Sequence, residues 1–139
     1  MRYKKIDSTY VIRLERGERI SEKLLGFCEQ ERIKAGCFSG LGACSEVELG
    51  HFNFTGKNYS ILNLSEQYEI TSLHGNISTL EGKCYLHAHI VLGDQRFQSW
   101  SGHLREAVIS ATAEIFLVSL DGELARKKDP DTGLNLLDI

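Results

Sequence analysis

Neither sign of charge dominates this sequence. Sixteen Lys and Arg stand against nineteen Asp and Glu in 139 residues, mixed along the chain, for a formal net charge of −3. That is not the basic footprint of an autonomous nucleic-acid binder. No apolar run is long enough to span a bilayer, so no membrane partner is expected. The basic start Met1-Arg2-Tyr3-Lys4-Lys5 runs into Asp7, Ser8 and Thr9, where a signal peptide needs an apolar stretch. The expected location is the cytoplasm. Cysteine is sparse: Cys28, Cys37, Cys44 and Cys84 form no Cys-x-x-Cys pair. They read as buried reduced thiols. There is also no phosphate loop, no dinucleotide fingerprint and no nucleophile elbow, so no reaction is assignable. Repeats and low-complexity segments are missing too. What is left is one domain, residues 1–139, long enough for a proper core.

The chemistry concentrates in residues 83–118. Cys84-Tyr85-Leu86-His87-Ala88-His89-Ile90-Val91-Leu92 reads as a strand. Successive side chains of a strand point to opposite faces. Leu86, Ala88, Ile90 and Leu92 then make an apolar core face, and Tyr85, His87, His89 and Val91 make the other. Cys84 falls on the core side, away from the histidines. His87 and His89 sit side by side, their Cα atoms about 6–7 Å apart. Both can reach one metal ion or one anionic ligand. His103, in Ser101-Gly102-His103-Leu104, is the candidate third member. Three neutral imidazoles are a common zinc shell with an open coordination position. The alternative is that each is a half-buried polar residue beside a loop, since His is intermediate in burial.

Along the chain, residues 10–14 alternate as a first strand. Ile20, Leu24, Phe27 and Cys28 recur at helical spacing, with Leu25 widening the stripe, so a helix is expected over about 18–34, stopped by Gly36. Residues 37–39 read as a short buried strand before a glycine-rich loop. The glycines there allow either a tight turn or a backbone-lined pocket wall. Further strands are expected over 46–54, with a bulge near Gly50, over 59–64, over 68–78, and over 97–101. In the last long run Ala107, Ile109, Ala111, Ala113, Ile115 and Leu117 share one face. Ser110, Thr112 and Glu114 lie on the other. Residues 126–133 read as a polar turn, with Leu134, Leu136 and Leu137 docking the tail. The sum is α+β: one main helix against a mostly antiparallel, twisted or barrel-like sheet of about seven or eight strands.

The ordered set Glu69-Ile70-x-Ser72-Leu73-x-Gly75, His87-x-His89, Gly102-His103-Leu104 and Val108-x-x-Ala111-Thr112-x-Glu114-Ile115 resembles the plants-and-prokaryotes-conserved (PPC) domain. In plants that domain follows AT-hook motifs in nuclear proteins. The resemblance runs from the first strand to Asp131-Thr132-Gly133. It implies a stand-alone, homotrimeric domain with clefts between subunits, and a metal, zinc or another divalent ion, on His87, His89 and His103. It also carries a DNA-binding label. The sequence departs from the family pattern at His74, a candidate extra ligand, and at Ser101-Gly102, where two glycines are common. The AT-hook itself is missing: its Arg-Gly-Arg-Pro core lies in the minor groove, and the only proline here, Pro130, stands between Asp129 and Asp131.

Three functions follow as expectations. The first is a trimeric protein with a His-rich metal or small-ligand site near subunit contacts. In that reading Glu114 is a candidate general base or supporting carboxylate, or else a carboxylate paired at a trimer contact. The second is a protein-interaction module without catalysis. The third, by family label alone, is a DNA-associated regulator.

Overall fold

The alternation of residues 84–92 fixes where everything else must go, because one face of that strand has to be buried. A computed structural model describes residues 1–139. In order come β1 (Arg2–Ile6), β2 (Thr9–Glu15), α1 (Ile20–Gln30), β3 (Gly36–Asn53), β4 (Asn58–Leu64), β5 (Tyr68–Leu80), β6 (Lys83–Gly93), β7 (Ser99–Ser119), β8 (Ala125–Lys128) and β9 (Asn135–Leu137). All nine strands join one sheet, as an α+β fold with a single helix. β3 pairs with both β5 and β7, and β6 pairs with both as well. These four strands close a ring. β2 adds to β7, β1 to β2, and β4 to β3. Every pairing is antiparallel except β5 with β8.

The count of nine differs from the sequence expectation for two reasons. Segments 37–39 and 46–54 are one strand, β3, and segments 97–101 and 107–118 are one strand, β7. Both strands bend at bulges instead of breaking. Register shifts fall at Gly40/Gly42, Gly42/Cys44, Ser45/Glu48 and Glu48/Leu49, the last beside the bulge expected at Gly50. The third shift carries Glu46 at φ 48°. In β7 the shift between Ile109 and Ala113 turns Ala111 outward, correcting its place on the core face. Three short strands, β1, β8 and β9, come from the basic lead and the polar tail. They lacked an alternating pattern because each leans on a neighbour that already exists.

Leu73, Ile77, Ala88, Ile90, Leu92, Ile109, Ile115 and Leu117 are fully buried, in one cluster of 25 residues that includes Ile20, Leu24, Phe27 and Cys28 of α1. The apolar face of β6 is therefore core, as its alternation required. Cys28 and Cys44 are buried, Cys84 is half-buried, and Cys37 is exposed, which corrects its expected burial; all four are free. No helix is long and apolar enough to cross a membrane.

The helix contains its whole apolar stripe but is shorter than the expected span of 18–34. Arg32 takes φ 56°, and the Ile33 amide donates to the Cys28 carbonyl at 2.8 Å. That six-residue closure ends the helix at Gln30, six residues before Gly36. Its N-terminus is capped from a distance. Arg19, at the cap position, makes no side-chain cap bond. Instead Glu106 of β7 accepts from the amides of Ser21 (2.8 Å) and Glu22 (3.2 Å). A carboxylate there satisfies orphan donors and opposes the helix dipole. Glu106→Ala is expected to destabilise by about 1 kcal/mol, read as a lower urea midpoint at unchanged slope. An unchanged midpoint would show that water caps the helix equally well.

The glycines of 36–42 sit where β3 packs against β7. A Cβ on Gly36 would meet the Val118 carbonyl at 2.7 Å, and one on Gly42 would meet the Thr112 carbonyl and Ala113 Cα at 2.4 and 2.6 Å. They let β3 lie tightly on β7. The obstruction is backbone, so it cannot swing aside. Gly42→Ala is expected to destabilise by about 1–3 kcal/mol by overpacking, and a melting temperature equal to wild type would contradict this.

Candidate metal centre

His87 and His89 project from the face of β6 opposite the core, two residues apart. β6 then pairs with the start of β7, with His103 directly across from His89. The strand period and one cross-strand pair thus bring three imidazoles together. Ring centroids lie 5.3 Å apart for His87 and His89, 5.2 Å for His87 and His103, and 5.5 Å for His89 and His103. One ligand nitrogen from each lies within 4.8 Å of the others. Tetrahedral zinc with bonds near 2.0–2.1 Å asks for nitrogens about 3.3 Å apart, so small side-chain rotations close the set.

The electrostatics favour a cation's ligands over a cation. Burial, then the neighbouring His87 and His89 and Arg105, pushes His103 down to about 4. Burial, then Arg126 and His89, lowers His87. Both rings are therefore neutral at pH 7, the form that binds metal. His103 Nδ1 is buried and has no hydrogen-bond partner. Leaving a buried polar atom unpaired costs about 1–3 kcal/mol. A metal ion held by this ring and its two neighbours is one way to offset that. The donor set and the orphaned nitrogen fit a divalent transition metal.

Around the histidines lies a concavity of about 590 Å³. Its walls were not legible in the sequence. Tyr59 of β4 stacks obliquely on His103, centroids 5.4 Å apart. A Cβ at Gly50 would strike the Tyr59 ring at 2.9 Å, so that glycine gives the ring its place. Phe52 packs edge-on against Tyr59 and Phe54. The fifth histidine, His51, also lines the wall. Arg126, read in the sequence as part of a polar turn, is buried in β8 and reaches the same concavity. No local signal marks it, because its role depends on β8 pairing with β5 some 50 residues earlier in the chain.

The other candidates lie elsewhere. His74 is paired in register with His89, on β5, so it extends the row of histidines by one strand. It is exposed, and its Nδ1 bonds the Ser72 hydroxyl at 2.8 Å, outside the group of three. Glu114 sits eleven residues beyond His103 on β7, paired with Arg13 of β2 and Leu41 of β3. It borders a shallow surface with Tyr3, Val11 and Phe116. Within one chain it does not meet the histidines.

Comparisons with known proteins follow the same lines. The sequence model described as the Plants and Prokaryotes Conserved (PCC) domain matches residues 1–121. A crystal structure of a candidate DNA-binding protein from Bacteroides thetaiotaomicron is 34% identical, with a TM-score of 0.96 over 99% of this chain and 96% of that one. A plant- and prokaryote-conserved protein from Pyrococcus horikoshii is 32% identical, with a TM-score of 0.90 over 99% and 94%. A protein from Archaeoglobus fulgidus described as metal-containing is 30% identical, with a TM-score of 0.90 over 100% and 99%. Among curated proteins, the bifunctional protein GlmU of a Synechococcus strain is 35% identical over 127 residues, 89% of this chain. The match spans only 19% of that relative's length.

Proposed function

From the premise that the chain belongs to the Plants and Prokaryotes Conserved domain family, we propose that it holds a divalent metal, zinc first among them, on His87, His89 and His103, at the floor of a small-ligand site. One observation carries the reading: three imidazoles with ligand nitrogens within 4.8 Å of one another. The metal-containing description of the Archaeoglobus relative supports it. When bound, a metal with three neutral imidazoles and an open position supplies Lewis acidity or a bound hydroxide at neutral pH. The chain's own part is to keep the rings neutral by burial and to orient His103 against Tyr59.

The same proposal makes the chain a subunit of a homotrimer, acting in the cytoplasm. Leu41, Phe116 and Leu120 are exposed, and Leu41 and Phe116 lie on neighbouring strands with Glu114 between them. An apolar strip of that kind favours burial against another chain. In this arrangement Glu114 is a contact carboxylate, and it reaches chemistry only if a neighbouring subunit presents its site there. His74 remains a candidate outer ligand.

Elemental mass spectrometry of purified, untagged protein, run with size-exclusion light scattering, tests both parts. Near one zinc per chain on a three-chain particle is the expected result. Protein that takes up no added zinc overturns the metal site, and a monomer overturns the assembly. A metal-free trimer would leave the interaction-module reading in the lead. The DNA-binding description belongs to relatives, and a net charge of −3 gives it little support here. Retention on duplex DNA at 50 mM salt that is lost by 200 mM would revive it; the expected outcome is flow-through at both.

A further inference from the structure

The concavity over the histidines carries an unbalanced charge. None of its lining residues is Asp or Glu, and its one permanently charged side chain is Arg126. Arg126 is only 9% exposed, yet every partner it has is neutral. Its Nε donates to Ser78 Oγ (2.7 Å), Nη1 to the Asn135 carbonyl (2.6 Å) and Nη2 to Asn76 Oδ1 (2.7 Å). Its guanidinium lies over the Tyr85 ring at 4.9 Å. Asn76 is the cross-strand partner of His87, and Tyr85 shares His87's face of β6. The guanidinium is thus fixed beside the metal ligands, and its charge helps to keep His87 neutral.

A guanidinium has five N–H donors, and three are used. Two remain for a ligand, on a side chain that lines the same concavity as the three histidines. A divalent ion on neutral imidazoles adds two further positive charges, and no carboxylate of this chain faces them. Desolvated charge without a counter-charge is costly, so the missing anion has to come from a ligand. Phe52, Phe54, Tyr59, Leu134 and Leu136 give one part of the wall apolar surface, and His51 and Ser101 are among its neutral polar members. A phosphoryl group brings more oxygens than a two-donor fork satisfies. A planar carboxylate matches a two-donor fork.

We propose that this pocket takes a small organic carboxylate with an apolar or aromatic tail, its carboxylate held by Arg126 beside the metal ligands and its tail lying against Tyr59 and Phe52. The inference rests on the metal reading above.

Zinc content is measured first. The zinc-loaded protein is then titrated by calorimetry with benzoate, with benzamide and inorganic phosphate as controls at constant ionic strength. Benzoate is expected to bind at least tenfold more tightly than either, and Arg126→Gln to weaken it at least tenfold with zinc content unchanged. Equal affinity for benzamide, preference for phosphate, or an Arg126→Gln protein that binds benzoate normally overturns the proposal. Arg126 also ties β8 and β9 to β5, so the wild-type protein is read as well. The side-chain 15N resonance of Arg126 is expected to move on benzoate addition, and one that stays fixed at saturation overturns the proposal. A protein that takes up no zinc overturns the metal reading and this one with it. A zinc-loaded protein indifferent to benzoate overturns this one alone.

Discussion

His87→Ala is expected to abolish zinc uptake and to leave the protein folded. Two imidazoles remain after the substitution, and two are too few for a stable zinc shell of the three-ligand type. The loss should exceed the 10–100-fold that removing a mere outer partner of a metal ligand costs. Stability should hardly move. His87 is half-buried on the face of β6 away from the core, and its ring makes no side-chain hydrogen bond. His89→Ala, more exposed, should behave alike. Elemental analysis and thermal melting on the same samples check both halves. If His87→Ala unfolds the protein while wild type and variant carry equal metal, the histidines are structural and the site is misread.

Ile90→Ala is expected to do the opposite, destabilising by about 2–5 kcal/mol with metal stoichiometry unchanged in whatever remains folded. Ile90 is next to His89 in sequence but faces the other way, 1% exposed within the core cluster. Truncation removes buried methylene and methyl groups and leaves a cavity that rigid strands fill poorly. Ring closure sharpens the effect: β6 is held by both β5 and β7, so the sheet cannot collapse inward to close the void. Urea unfolding measures it. A loss under about 1 kcal/mol would mean that β6 does not face the core at this point. Side by side, the two substitutions separate a face that binds from a face that folds, one residue apart.

That separation was legible in the sequence, because a strand's two faces follow from a period of two with no tertiary information. The same holds for the buried stripe of α1 and for the α+β class. His103 was legible in part: the residue stood out, but its position opposite His89 depends on the register of β6 with β7. Register is set by the turn between them and by which face is buried, and both act through the folded sheet. The sequence misjudged continuity. Bulges bend β3 and β7 where pattern reading saw gaps, because a shifted register breaks the alternation without ending the strand.

The wall of the site depends on how the strands come together. Tyr59 reaches His103 because β4 folds back on β3 where Gly50 leaves room. Arg126 arrives from the far end of the chain through a short parallel pairing. Glu114, chemically suitable, is carried away from the histidines by the length of β7. Which residues have the chemistry to bind a metal, and which face of β6 they occupy, are local properties and can be read from the chain before it folds. The fold decided which of them meet, because bringing distant residues together depends on pairings between strands that no local pattern encodes.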